Sequence, residues 1–244
     1  MSERRATVER KTGETEISIK LNLDGVGKSK IRTGIPFFDH MLTLFAKHSV
    51  MDLELRCKGD LEVDGHHTVE DCGIALGQAI VQALGDKKGI RRYGFAFGHE
   101  PEGQGEPAKA GTTYSKWGPA KGGTTYLKGE AYVPMDECLA RCVVDFSGRP
   151  YLVWRGLDKL AYKSLTAAEK AQDMSSAFRF GLAREFFQGF ANEARCNLHL
   201  ELLYGEEPHH VVEALFKAFA KAVDFARQRD ARISGLIPST KGKL

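Results

Sequence analysis

At 244 residues the chain has room for one large domain or two modest ones, and a 42% hydrophobic, 27% charged composition is that of an ordinary soluble protein. A formal charge of +3, from 35 basic against 32 acidic residues, is too small to argue for nucleic acid, and no basic cluster is interleaved with aromatics. The charged start MSERRATVER is not an apolar leader and no apolar run approaches the roughly 20 residues that cross a bilayer, so a cytoplasmic protein without a membrane partner is expected.

Residues 14–23, ETEISIKLNL, alternate Ile17, Ile19, Leu21 and Leu23 and predict a strand. A Gly-rich turn follows, then a helix over FFDHMLTLFAKHS entered at Pro36. MDLELRCKGDLEV predicts one or two strands. DGHHTVEDCGIALGQAI, residues 64–80, predicts a helix headed by His66, His67 and Glu70. Residues 1–97 thus read β, α, β, α. Residues 98–131 interrupt this with a polar, Gly- and Pro-rich stretch carrying the near-repeat AKAGTTYSK and AKGGTTYLK, which predicts an insertion in a surface hairpin or loop.

The pattern resumes at AYVPMDE and repeats its order over residues 132–244. DECLARCVVDFSGRPYLVW predicts strands around a turn at Ser147-Gly148, RFGLAREFFQGFANEA a helix and CNLHLELLY a strand. Cys138 and Cys142 suit a helix or a strand equally. With no CxxC pair, all five cysteines read as reduced thiols. LDKLAYKSLTAAEKAQDMSS carries no readable function. EPHHVVEALFKAFAKAV, residues 207–223, predicts a last helix headed by His209, His210 and Glu213, each 143 residues beyond its counterpart in the first half. Apolar positions keep the same register, Leu76 with Phe219, Ala79 with Ala222 and Ile80 with Val223. The expected fold is therefore α+β, built from duplicated β-α-β-α half-units.

On a helix each histidine of the pair lies three or four residues from its glutamate and can face it. Adjacent histidines splay by about 100°, so one joins the glutamate at one ion while its neighbour reaches a second. Imidazole nitrogen and carboxylate oxygen without thiolate suit Mn, Fe, Zn or Ni. One HHxxE alone reads as a solvated helix end; two in register argue for metal. Aligning Asp52-Leu53-Glu54 with Asn197-Leu198-His199 sets His40 opposite Glu185, both competent ligands. His199 then falls on an outer strand face as a surface histidine, and His99 lies in the insertion.

Cationic candidates are Lys217, four residues past Glu213, and Arg92 and Arg149 at element ends, where a guanidinium can fork onto phosphate. The final PSTKG adds Ser239 and Lys241. Taken singly, each of these reads as a solvated charge and the last ten residues as a disordered tail.

FFDHML, DGHHTVEDCGIALGQA, GIRRYG, VPMDECLARCVVDFSGRPYLVW, NLHLELLYG, HHVVEALFKAFAKA and IPSTKG together resemble the imidazoleglycerol-phosphate dehydratase family. The resemblance covers most of the chain apart from the insertion and residues 156–178. It implies a lyase of histidine biosynthesis that removes water from imidazoleglycerol phosphate to give imidazole-acetol phosphate. It also implies helices packed between two β-sheets, two Mn²⁺ per active site holding the substrate as an imidazolate, and a 24-subunit homo-oligomer. Carried over by position, His40, His66, His67, Glu70, His209, His210 and Glu213 match metal ligands. Glu185 stands where many members have histidine. Glu14 matches a substrate-contacting glutamate able to move protons, and His48, Arg92, Arg149, Lys217, Ser239 and Lys241 match substrate or phosphate contacts. The alternatives weighed against this are a two-metal hydrolase of a phosphorylated small molecule and a non-catalytic shell assembled by metal.

Overall fold

The computed structural model describes residues 3–94, 131–160 and 178–244. Alternation builds the first sheet. In β2 (Thr15–Asn22) residues 15, 17, 19 and 21 are buried and the residues between them face outward. β2 lies between β1 (Arg5–Lys11) and β4 (Asp52–Gly59), antiparallel to both, and β3 (Ser29–Arg32) closes the edge parallel to β4. α1 (Pro36–Ser49) starts at the predicted proline, and α2 (His66–Leu84) starts at the first histidine pair.

The second half repeats this wiring. β7 (Cys138–Asp145) pairs antiparallel with β9 (Asn197–Tyr204), and β8 (Tyr151–Arg155) lies parallel to β9. The strand on the far side of β7 comes in two pieces. β5 (Tyr93–Gly94) pairs with Asp145 and Val144, and β6 (Ala131–Met135) takes up the same edge at Cys142. The expected insertion therefore falls between two segments of one edge, and all of it but Ala131 lies outside the described residues. α3 (Phe180–Ala194) and α4 (Pro208–Arg227) complete the unit.

One expectation changes and two are refined. Each half carries three strands before its first helix, so the unit is β-β-β-α-β-α rather than β-α-β-α. The strands flanking the Ser147-Gly148 turn are not partners, because β9 lies between them. Cys138 and Cys142 sit on a strand, both buried on its inner face.

The four helices lie between the sheets, and they cross-pack: α2 of the first half against α3 of the second, and α4 against α1. One continuous core results, centred on Phe186, Phe187, Phe190, Phe216 and Phe219, which pack ring against ring. Small residues let α2 and α3 approach closely. A Cβ on Gly73 would lie 2.2 Å from the Phe186 carbonyl oxygen, and one on Gly189 would lie 2.9 Å from that of Glu70. Backbone cannot yield as a side chain tip can. Gly73→Ala is expected to cost about 1–3 kcal/mol through forced separation of the helices, read as a lower urea midpoint; an unchanged midpoint would show the crossing to be adjustable.

Candidate active site

The histidine pairs stand at the N-termini of α2 and α4, and the cross-packing brings other elements to them. At α4, His209 Nε2 lies 3.5 Å and His40 Nε2 of α1 lies 3.7 Å from the same Glu213 oxygen, Oε2. The other oxygen accepts a hydrogen bond from Lys217 Nζ at 2.6 Å. Burial alone would push the Glu213 carboxyl up, but the Lys217 hydrogen bond and charge, with His40 and His209, leave it below the ordinary range. Lys217, expected at the substrate, thus also secures a candidate ligand in its ionised form. His48 lies two turns along α1 from His40. Burial pushes its pKa down, and Lys221 and Lys217 push it further.

At α2, His66 Nε2 is 3.6 Å from Glu70 Oε2, the i, i+4 contact expected on this helix. His67 faces differently. Its Nδ1 is 2.9 Å from Asp60 Oδ2, and its Nε2 is 3.7 Å from Glu14 Oε1. Glu14 rides on the β1–β2 turn, where Thr12 Oγ1 accepts from the Glu14 and Thr15 backbone N–H groups. Buried Asp71 fastens that turn to α2 by accepting from Arg10 and from Thr15 Oγ1. Glu185 lies on α3, one turn before the Gly189 that packs against the Glu70 carbonyl. Among the described residues, no three His, Cys, Asp or Glu side chains gather closely enough to enclose an ion.

His210 repeats the arrangement of His67, with Nδ1 2.8 Å from Glu137 Oε2 and Nε2 3.5 Å from Asp136 Oδ2. The hydrogen bond to Asp60 raises the pKa of His67, and the one to Glu137 raises that of His210. Glu137 in turn is pulled down to about 2 by His210 first, then by the Cys138 thiol and backbone N–H groups. Sequence reasoning missed Asp60, Asp136 and Glu137, which it left without a role inside segments predicted as strands. The duplication carried a usable signal, since it sets Glu137 opposite Glu14.

The remaining cations gather elsewhere. The Arg92 guanidinium is spent within the chain, donating to both oxygens of Asp145 at 2.7 and 3.1 Å and to the Pro238 carbonyl at 2.8 Å. It thereby anchors the PSTKG segment, which carries Ser239 and exposed Lys241. The Ser147–Arg149 turn abuts the same segment, with a Cβ at Gly148 falling 2.5 Å from the Leu244 carbonyl carbon. This cluster lies beside the C-terminal ends of α2 and α4: Gly89 donates to the Leu236 carbonyl, and Arg92 N–H to that of Ala226. At 1.5 Å per residue, either helix separates the cluster from its own histidines by about 25 Å. A ring and a three-carbon phosphate cannot bridge that distance. His199 lies exposed on the outer face of its strand, as expected.

A sequence profile of the family described as imidazoleglycerol-phosphate dehydratase matches residues 33–102 and 113–223. The imidazoleglycerol-phosphate dehydratase of Polaromonas sp. is 46% identical over 241 residues, 99% of this chain and 94% of that protein. The one from Acetivibrio thermocellus is 46% identical over 242 residues, 99% of this chain and all of that protein. Among solved structures, imidazoleglycerol-phosphate dehydratase from Staphylococcus aureus aligns over 93% of this chain and 99% of its own, at 31% identity and a TM-score of 0.66.

Proposed function

The chain belongs to the imidazoleglycerol-phosphate dehydratase family, hydro-lyases of histidine biosynthesis acting on a phosphorylated imidazole, and we propose that it dehydrates its substrate in a site completed by a neighbouring copy of itself. The observation that carries this is the separation within one chain: imidazole-binding chemistry at one end of α2 and α4, phosphate-binding chemistry at the other. In a closed homo-oligomer, for which a 24-mer is proposed, the cationic end of one copy meets the histidine end of the next. No helix among the described residues is long and apolar enough to cross a membrane. All five cysteines are free thiols, which suits the reducing cytoplasm proposed for the protein.

The donors fit divalent Mn²⁺: imidazole nitrogens and carboxylate oxygens, with no thiolate in either cluster. His40, His66, His67, Glu70, Glu185, His209, His210 and Glu213 would hold two ions per site. When bound, the ions would supply Lewis acidity toward the substrate's imidazole ring and so assist departure of the hydroxyl.

Comparing substrate with product fixes which other bonds change. The hydroxyl leaves the carbon attached to the ring, and a proton leaves the carbon beside it. The hydroxyl and that proton together make the water released; an enol results, and loss of its O–H proton with protonation at the ring-attached carbon gives the ketone. Glu14, with its carboxylate 3.7 Å from a candidate ligand nitrogen, is proposed to take the carbon-bound proton. Arg149, Ser239 and Lys241 of the adjoining copy hold the phosphate, with Arg92 keeping their segment in place. Lys217 and His48 stand between the two ends.

The test is a titration of chelator-stripped protein with Mn²⁺, read by elemental analysis alongside turnover. The expected plateau is two ions per chain, with no inorganic phosphate released from substrate. A plateau at one or none would overturn the two-ion site, and phosphate release would indicate hydrolysis.

A further inference from the structure

Strand registers allow the two halves to be matched residue by residue. Asn22 pairs with Asp52 across β2 and β4, and Asp145 pairs with Asn197 across β7 and β9. The shift that carries Asn22 to Asp145 also carries Glu14 to Glu137, so each glutamate immediately precedes the central strand of its sheet. The β7–β9 ladder slips by one residue between Leu139 and Ala140, so Tyr204 rather than Leu203 faces Leu139; Gly205 then matches Gly59, and Glu206 matches Asp60. Both second histidines are flanked by carboxylates on both ring nitrogens, but equivalent positions do not face the same nitrogen.

The roles have been exchanged. At His67 the hairpin glutamate, Glu14, faces Nε2 while Asp60 takes Nδ1. At His210 the hairpin glutamate, Glu137, takes Nδ1 itself. The second half has a carboxylate at the Asp60 position too, Glu206, yet the Nδ1 partner of His210 is Glu137.

Resting on the metal reading above, we propose that Asp60 and Glu137 are positioning residues that present Nε2 of His67 and His210 to the metal. We infer further that Glu137 is the duplicate of Glu14, turned from substrate side to support. An ionised carboxylate can only accept, so the Nδ1 of each ring must carry the proton and Nε2 the lone pair. The bond also stops the ring from rotating, which strengthens ligation. Glu137 is itself held on three sides. Its Oε2 faces His210, while Oε1 accepts from the Glu207 backbone N–H at 3.0 Å and from the Cys138 thiol at 3.1 Å. Glu14 has no such cage; its side chain is 56% exposed.

The experiment measures Mn²⁺ affinity of the stripped, full-length protein by competition with a chelating indicator, and the visible spectrum after loading with Co²⁺. Glu137→Ala and Asp60→Ala are each expected to weaken one class of ion by about 10- to 100-fold and to alter the Co²⁺ bands. Glu137→Gln and Asp60→Asn keep an oxygen that accepts from Nδ1, and most of the affinity should return. His210→Ala serves as reference. If it weakens binding while Glu137→Ala and Asp60→Ala stay within about twofold of the parent, the metal reading stands and the positioning roles fall. If His210→Ala itself changes neither affinity nor spectrum, the metal reading falls and takes this proposal with it.

Discussion

Glu14→Gln is expected to lower kcat by about 10²- to 10⁴-fold while leaving KM within a few-fold of the parent. The substitution keeps the shape of the side chain and removes only its capacity to take a proton. Folding should not suffer, because the hairpin is held by Thr12, Thr15 and Asp71 rather than by the Glu14 carboxylate. Assembly should be unchanged in light scattering, and Mn²⁺ content should stay at the parental value. A kcat within tenfold of the parent would show that the carbon-bound proton goes to another group, and Asp136, 3.5 Å from His210 Nε2, would be the next to replace.

Period and punctuation made much of the fold readable. β2, α1, α2, α3, β9 and α4 all stand where alternation or helical spacing put them, and Pro36 does open its helix. β1 and β3 escaped for a physical reason. Arg5–Lys11 is an edge strand with mostly charged residues, and Ser29–Arg32 has one apolar residue, Ile31. Neither presents an alternation strong enough to stand above its charges. Pairing with β2 and β4, which no local pattern reveals, makes them strands.

The site was legible to the extent that duplication marked it. His66, His67 and Glu70 could be recognised because His209, His210 and Glu213 repeat them, and His40 does reach the second cluster, through α1 packing on α4. Asp60 and Glu137 could not be recognised, since a carboxylate is ordinary until a ring nitrogen is found beside it. Arg92 reads in the sequence as an open fork for phosphate, yet both sides of the fork are filled by Asp145 and Pro238. That distinction depends on tertiary contact alone.

The claim that one chain holds only parts of a site has a direct test in mixed assemblies. Arg149→Ala with Lys241→Ala removes two charge-assisted phosphate contacts, each worth roughly 1.5–3 kcal/mol. Because both side chains are exposed at the surface, folding should be unaffected and the loss confined to substrate binding. The double variant should then be about 10²- to 10⁴-fold weaker in kcat/KM if the two losses add. Glu14→Gln is disabled at the opposite end. Each protein assembled alone should be nearly inactive. When the two are unfolded and refolded together in equal amounts, about one site in four should draw its Glu14 end from one parent and its cationic end from the other, both intact. The expected result is recovery of roughly a quarter of parental turnover. Activity no greater than the sum of the two separate variants, in particles shown by mass spectrometry to be mixed, would mean that both ends of each site come from a single chain.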